Sequence, residues 1–160
     1  MPIEHNWHEQ RLLEDLSAST TKKEIEIIYD ISAFTLRLTK MYPIQMDKID
    51  WNSIPGMQSL SAPHGRSNTN YQLIEPATEL RQFWSALLRE NDIADNTSVI
   101  VVGDSLISFA LRMTVATLTQ HLVEILSIPH HTYVFPDDIS WCFGYTAEDE
   151  AFFARSRQHQ

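Results

Sequence analysis

Residues 99–102 read Val-Ile-Val-Val. Side chains on a strand point alternately to opposite faces, so a strand with one wet face alternates apolar and polar residues. An unbroken β-branched run instead marks a strand buried on both faces. The strand predicted at Ser98–Val102 therefore belongs to the interior. The other elements have to be arranged around it.

Before it, the pattern is mostly helical. Asn6, with Glu9 three residues later, makes a capping box for a first helix. Leu12, Leu13 and Leu16 give that helix an apolar face, and it should end near Ser17–Ser19. Thr21 and Glu24 read as a second capping box. Ile27, Ile31, Phe34, Leu38 and Met41 then fall at helical spacing, predicting a second helix to about Met41 that Tyr42-Pro43 stops. Residues 43–75 are punctuated by Pro43, Pro55, Gly56, Pro63 and Gly65. That is too long for an ordinary connection, so short strands are expected within it. Pro76 suits the first turn of a third helix, with Leu80, Phe83, Trp84, Leu87 and Leu88 on its apolar face and an end near Asn91.

After the apolar strand, Ser105 reads as the cap of a fourth helix, roughly residues 106–127. Leu111, Val115, Leu118, Leu122 and Ile125 form its stripe, and Pro129 closes it. A hairpin follows, from His131–Phe135 through a Pro136-Asp137-Asp138 turn to Ile139–Tyr145. Glu148–Ala154 is either a third strand or a final helix, and the tail from about residue 155 to 160 should fray. With no repeat and no linker, residues 1–160 make a single domain. The fold class is α+β: helices packed on a small, mainly antiparallel sheet with a C-terminal hairpin, to which Val99–Val102 pairs.

Composition narrows the function. Twelve Lys and Arg against twenty-one Asp and Glu give a formal net charge of −9. That balance disfavours a nucleic-acid backbone as partner; it permits a basic protein and equally serves ordinary solubility. No apolar run reaches the roughly 18–20 residues of a membrane helix, so no membrane partner is expected. The polar N-terminus MPIEHNWHEQ does not read as a signal peptide, so the expected location is the cytoplasm. Cys142 is the lone cysteine, which excludes an internal disulfide and a Cys-x-x-Cys zinc site. Four glycines are too few for a phosphate-cradling loop, and no cofactor is implied.

The segment Gly103-Asp104-Ser105-Leu106 resembles the first block of the GDSL esterases, in which the serine is the nucleophile. A serine nucleophile also needs a histidine base, a group that orients it, and oxyanion donors. In that family a glycine donor block, a Gly-x-Asn-Asp block and an Asp-x-x-His block come later in the chain. Here Gly144 is the sole later glycine, and neither of the other two blocks follows. Only His130 or His131 is placed to reach Ser105. Gly103 as a turn and Ser105 as a helix cap account for the same residues, so no catalytic residue is assigned.

His130-His131 invites a metal site, but neighbours on a strand face opposite ways, and none is assigned. Tyr133, Phe135, Trp141, Phe143 and Tyr145 read as the buried face of a hairpin rather than a ligand platform. Of Trp7 and Trp51, both in polar surroundings, one is expected to be exposed, and Trp7 is taken as a partner anchor. Asp137, Asp138, Glu148, Asp149 and Glu150 form an acidic C-terminal group, read either as a solvated turn and strand end or as a surface for a basic protein.

The C-terminal run of HHTYVF, DDISWCFGYT and EDEAFF, after a helix closed by Pro129, resembles the small acidic immunity proteins of bacterial polymorphic-toxin and contact-dependent growth-inhibition systems. The likeness spans about residues 120–155. It implies a non-enzymatic cytoplasmic protein, expected to be a monomer, that binds a cognate toxin domain. Many such toxins are nucleases, and covering the active site or an adjacent surface would neutralise one. The five acidic residues and Trp7 are the expected contacts. Two other functions stay open at this level: a small GDSL-like hydrolase using Ser105, and a protein-binding adaptor.

Overall fold

The computed structural model describes residues 4–46, 48–61 and 78–156. Pro63, Gly65 and Pro76, and most of the loop-like run SAPHGRSNTN, lie outside them, as do residues 157–160. The described chain is α+β, with six helices and a seven-stranded sheet in which every pairing is antiparallel.

The helices are α1 (Trp7–Asp15), α2 (Ser17–Thr21), α3 (Ser32–Met41), α4 (Thr78–Glu90), α5 (Val115–Gln120) and α6 (Leu122–Leu126). The strands are β1 (Glu26–Ile28), β4 (Gln58–Ser61), β5 (Ser98–Gly103), β6 (Ala110–Thr114), β7 (Thr132–Pro136), β8 (Trp141–Tyr145) and β9 (Glu150–Arg155), in the order β1-β6-β5-β7-β8-β9-β4. A separate two-stranded ribbon, β2 (Ile44–Gln45) with β3 (Lys48–Ile49), precedes a 3-10 turn at Trp51–Ser53. No helix among the described residues is long and apolar enough to cross a membrane.

The apolar strand lies where its sequence puts it. β5 is hydrogen-bonded between β6 and β7. Val99 and Val101 enter one hydrophobic core, and Ile100 and Val102 enter another. The sheet is therefore covered on both faces. On one face lie Leu12 of α1, Leu80, Trp84 and Leu87 of α4, and the buried residues of α5 and α6. The Trp84 indole Nε1 donates to Thr119 Oγ1 at 2.9 Å, and its ring meets the Phe143 ring edge-on at 5.0 Å. Burying an indole with its donor satisfied avoids the cost of an unpaired polar group. The second face is covered by Leu38 of α3 with Tyr42, Ile49, Trp51 and Ile54. Of the two tryptophans in polar surroundings, Trp51 is thus buried and Trp7 exposed.

Several elements differ from the sequence reading, always because a distant partner overrides local periodicity. The predicted second helix is split. Lys23 takes φ 63°, ending α2, and Ile27 sits in β1 opposite Leu111. Thr21 is therefore a helix end rather than a cap. The predicted fourth helix over 106–127 is also split. Residues 110–114 form β6, drawn into the sheet by β5 and β1, and Thr114 rather than Ser105 caps the helix that follows. Glu150–Arg155 is a strand, paired with β8 and β4. The chain is still ordered at the start of the predicted tail: Ser156 is buried and its N–H donates to Ser140 O at 3.0 Å. The aromatic hairpin is buried, but on two faces. Trp141, Phe143 and Tyr145 enter the first core, Tyr133 and Phe135 the second.

Candidate functional site

The end of β5 organises one edge of the molecule. The Asp104 N–H donates to His131 O, and His131 N–H returns a bond to Asp104 Oδ1 at 3.1 Å. Lys48 Nζ, from β3, donates to Asp104 Oδ2 at 2.9 Å, and Ser105 Oγ donates to Oδ1 at 3.2 Å. Burial pushes the Asp104 carboxyl up. The bond and charge of Lys48, helped by His131, outweigh it and hold the group below the usual carboxylate range. Asp104 is thus an anion satisfied from three sides.

Ser105 is exposed in a bend, with its hydroxyl directed to Asp104. The histidine next to this turn is otherwise engaged. His130 is buried, and its Nδ1 accepts the Leu106 N–H at 3.1 Å. A ring nitrogen that accepts is unprotonated, so the ring proton sits on Nε2. Gly103 makes this packing possible. A Cβ there would stand 2.0 Å from His130 Cε1. The tetrapeptide thus holds the β5–β6 connection against His130.

That connection also receives α1. The capping box forms as its sequence indicates: Glu9 N–H donates to Asn6 Oδ1 and Asn6 N–H to Glu9 Oε1. Glu9 does more than cap. Its buried Oε2 accepts both the N–H and the hydroxyl of Ser108, at 3.0 and 2.7 Å. Nothing local in the sequence announces this second role, because Ser108 lies 99 positions away.

The acidic residues are not gathered on one face. Asp137 and Asp138 occupy the β7–β8 turn, Glu148 and Asp149 the β8–β9 turn, and Glu150 opens β9. These turns lie at opposite ends of β8, separated by about 16 Å of strand. Two arginines stand at the first turn: Arg37 Nη2 donates to Asp137 O, and Arg112 lies 3.5 Å from both Asp137 Oδ1 and Glu26 Oε2. At the second turn the ionic contact of Glu148 is the imidazole of His131, at 3.8 Å, and its side chain is 68% exposed. Asp149 has φ 63° and its N–H bonds Thr146 O, so it shapes the turn; Asx residues tolerate this left-handed backbone. Trp7 is elsewhere, on α1, 54% exposed and with Arg11 5.4 Å above its ring.

The histidine pair is divided as strand alternation requires, His130 buried and His131 half-buried beside Glu148. Among the described residues no group of three His, Cys, Asp or Glu is placed to hold a metal ion.

Sequence reasoning missed a cleft between α3, the β2–β3 ribbon and the sheet. It has a volume of about 220 Å³, and Asp104 stands on its wall. Its walls come from four distant stretches, so no local pattern could have revealed it. No family model matches this sequence, and a search of curated proteins finds no match.

Proposed function

We propose that the chain is a non-enzymatic immunity protein that works in the cytoplasm as a monomer. It binds a basic cognate toxin domain, such as a nuclease, and covers its active site or an adjacent surface. The resemblance of the C-terminal third motivates this reading. The observation that carries it is the uneven electrostatics of the sheet ends. Glu148 and Glu150 flank an exposed turn whose ionic contact is a histidine, on a chain of net charge −9. The Asp137 end is offset by two arginines. Unequal ends give a basic partner a direction of approach, because opposite fields raise encounter rates. The arrangement at Ser105 supports the non-enzymatic part, since the neighbouring imidazole of His130 accepts a backbone N–H instead of a serine proton.

The test is protection. The chain is co-expressed in sensitive bacteria with the toxin domain encoded beside it, and the purified pair is measured by surface plasmon resonance across salt concentrations. Growth is expected to be rescued, with association slowing as salt rises. Ser105→Ala should protect as well as the wild type. Failure to protect, or an esterase activity that Ser105→Ala removes, overturns the reading.

A further inference from the structure

The cleft beside α3 is walled mainly by hydrocarbon. Ile31, Leu38, Ile44, Ile49, Val102 and Tyr133 supply most of its lining. Two threonines also line it, but both spend their hydroxyl protons within α3. Thr35 Oγ1 donates to Ser32 O at 3.0 Å, and Thr39 Oγ1 to Leu36 O at 2.7 Å. The Tyr133 hydroxyl is tied to the Ile49 backbone. Among the described residues that line it, Asp104 is the charged one.

The mouth of the cleft adds apolar and acidic surface. Ile44 is 38% exposed, and Met46, at the tip of the same ribbon, is 88% exposed. Met46 also takes φ 53°, a left-handed backbone that residues with a Cβ rarely adopt. His131 touches both Asp104, through its backbone N–H, and Glu148, through its imidazole at 3.8 Å. An apolar cleft thus opens beside a carboxylate and a further acidic turn. The cation now on Asp104 is Lys48, whose side chain is 45% exposed on a two-residue strand.

We infer that this cleft is the apolar half of the partner interface. It seats one aliphatic or aromatic side chain of the basic toxin domain, and a Lys or Arg adjacent to that side chain takes Asp104 over from Lys48. The inference rests on the immunity reading and adds the anchor that an acidic turn alone lacks, since buried apolar contacts carry most binding energy while rim charges steer approach. Charge complementarity selects the occupant. An apolar group carried by a neutral or anionic partner would leave Asp104 with its present lysine and meet a repulsive rim.

The chemistry is tested first without any toxin. The full chain, labelled with ¹⁵N, is titrated with n-hexylammonium, 1-hexanol and hexanoate. The amides of Thr35, Thr39, Gly103 and Asp104 should shift, with hexylammonium binding about threefold tighter than hexanol and hexanoate weakest. Lys48→Gln should tighten hexylammonium severalfold and leave hexanol unchanged. Thr39→Trp should abolish all three titrations. No shifts at these amides, or binding indifferent to head group and to Lys48→Gln, overturns the inference. The second arm uses the cognate toxin domain. Thr39→Trp and Ile44→Glu, both at exposed positions, should each weaken the complex about tenfold with unchanged urea midpoints. Full affinity in both variants overturns the anchor while leaving immunity intact. A wild-type chain that gives no protection overturns the immunity reading and the partner assignment together, and the alkyl titration still reports whether the cleft binds.

Discussion

The imidazole of His130 occupies the space that a side chain on Gly103 would need. A Cβ at position 103 would lie 2.0 Å from Cε1 and 2.7 Å from Nδ1, the atom that accepts the Leu106 N–H. Gly103→Ala should therefore push the ring aside and break that bond. Overpacking and a lost buried hydrogen bond together amount to about 2–3 kcal/mol. Urea denaturation should show this loss. The double variant Gly103→Ala, His130→Ala should be less destabilised than the sum of the singles, because the clash needs both partners. Additive singles would mean that the glycine matters for another reason.

Glu9 gives the fold a pH dependence of known sign. Burial pushes its carboxyl up, but the hydrogen bonds from Ser108 and Asn6 outweigh this and hold it below the ordinary value of 4.5. A carboxyl whose folded value is depressed stabilises the fold fully above the unfolded value and loses that contribution as pH falls through the folded value. Glu9→Gln should cost about 1–3 kcal/mol near neutral pH. The gap between wild type and variant, measured in urea, should narrow below about pH 4.5. A gap constant down to pH 2 would show that the charge of Glu9 is not what its partners hold.

Cys142 should be silent to thiol reagents in the native protein. It is fully buried in the second core, and burial pushes its thiol well above the ordinary range, so the reactive thiolate is scarce and inaccessible. Modification at pH 8 should proceed no faster than unfolding, and destabilising Gly103→Ala should accelerate it. Fast, saturating labelling of the folded chain would contradict the packing of β8.

Charge reversals should separate the two acidic turns. Glu148→Lys and Glu150→Lys are expected to slow association with the toxin domain severalfold at low salt and to flatten its salt dependence. Asp137→Lys should change association little, since Arg37 and Arg112 already offset that end. Equal effects at both turns would argue against a directed approach.

Legibility from sequence followed the range of the interactions. The Asn6–Glu9 capping box, the apolar face of α4 and the doubly buried β5 depend on neighbouring residues or on a strong local pattern, and each forms as read. β1 and β6 do not. Ile27 and Leu111 each sit at helical spacing from later apolar residues, yet they face each other across a strand pair. Local periodicity cannot see a partner more than eighty residues away. The same limit explains the site. Asp104 was visible as part of a four-residue motif, but Lys48 and the walls of α3 that give it a setting were not. The Asp137-Asp138 turn was legible as a turn, whereas Glu148 and Asp149 were read into the element that follows them, and the register of β8 shows that the two acidic groups lie at its opposite ends.

Both outer strands of the sheet come from the N-terminal half of the chain, and both wait for the C-terminal half. β1 has its partner in β6, and β4 has its partner in β9. On the ribosome β1 cannot dock until residues 110–114 have emerged, nor β4 until residues 150–155 have. Completion of the sheet is therefore a late, long-loop event, slow in the way that non-local strand pairing is slow. Truncation that removes β9 should do more than trim an edge: it would leave β4 without a template and β8 with an open side.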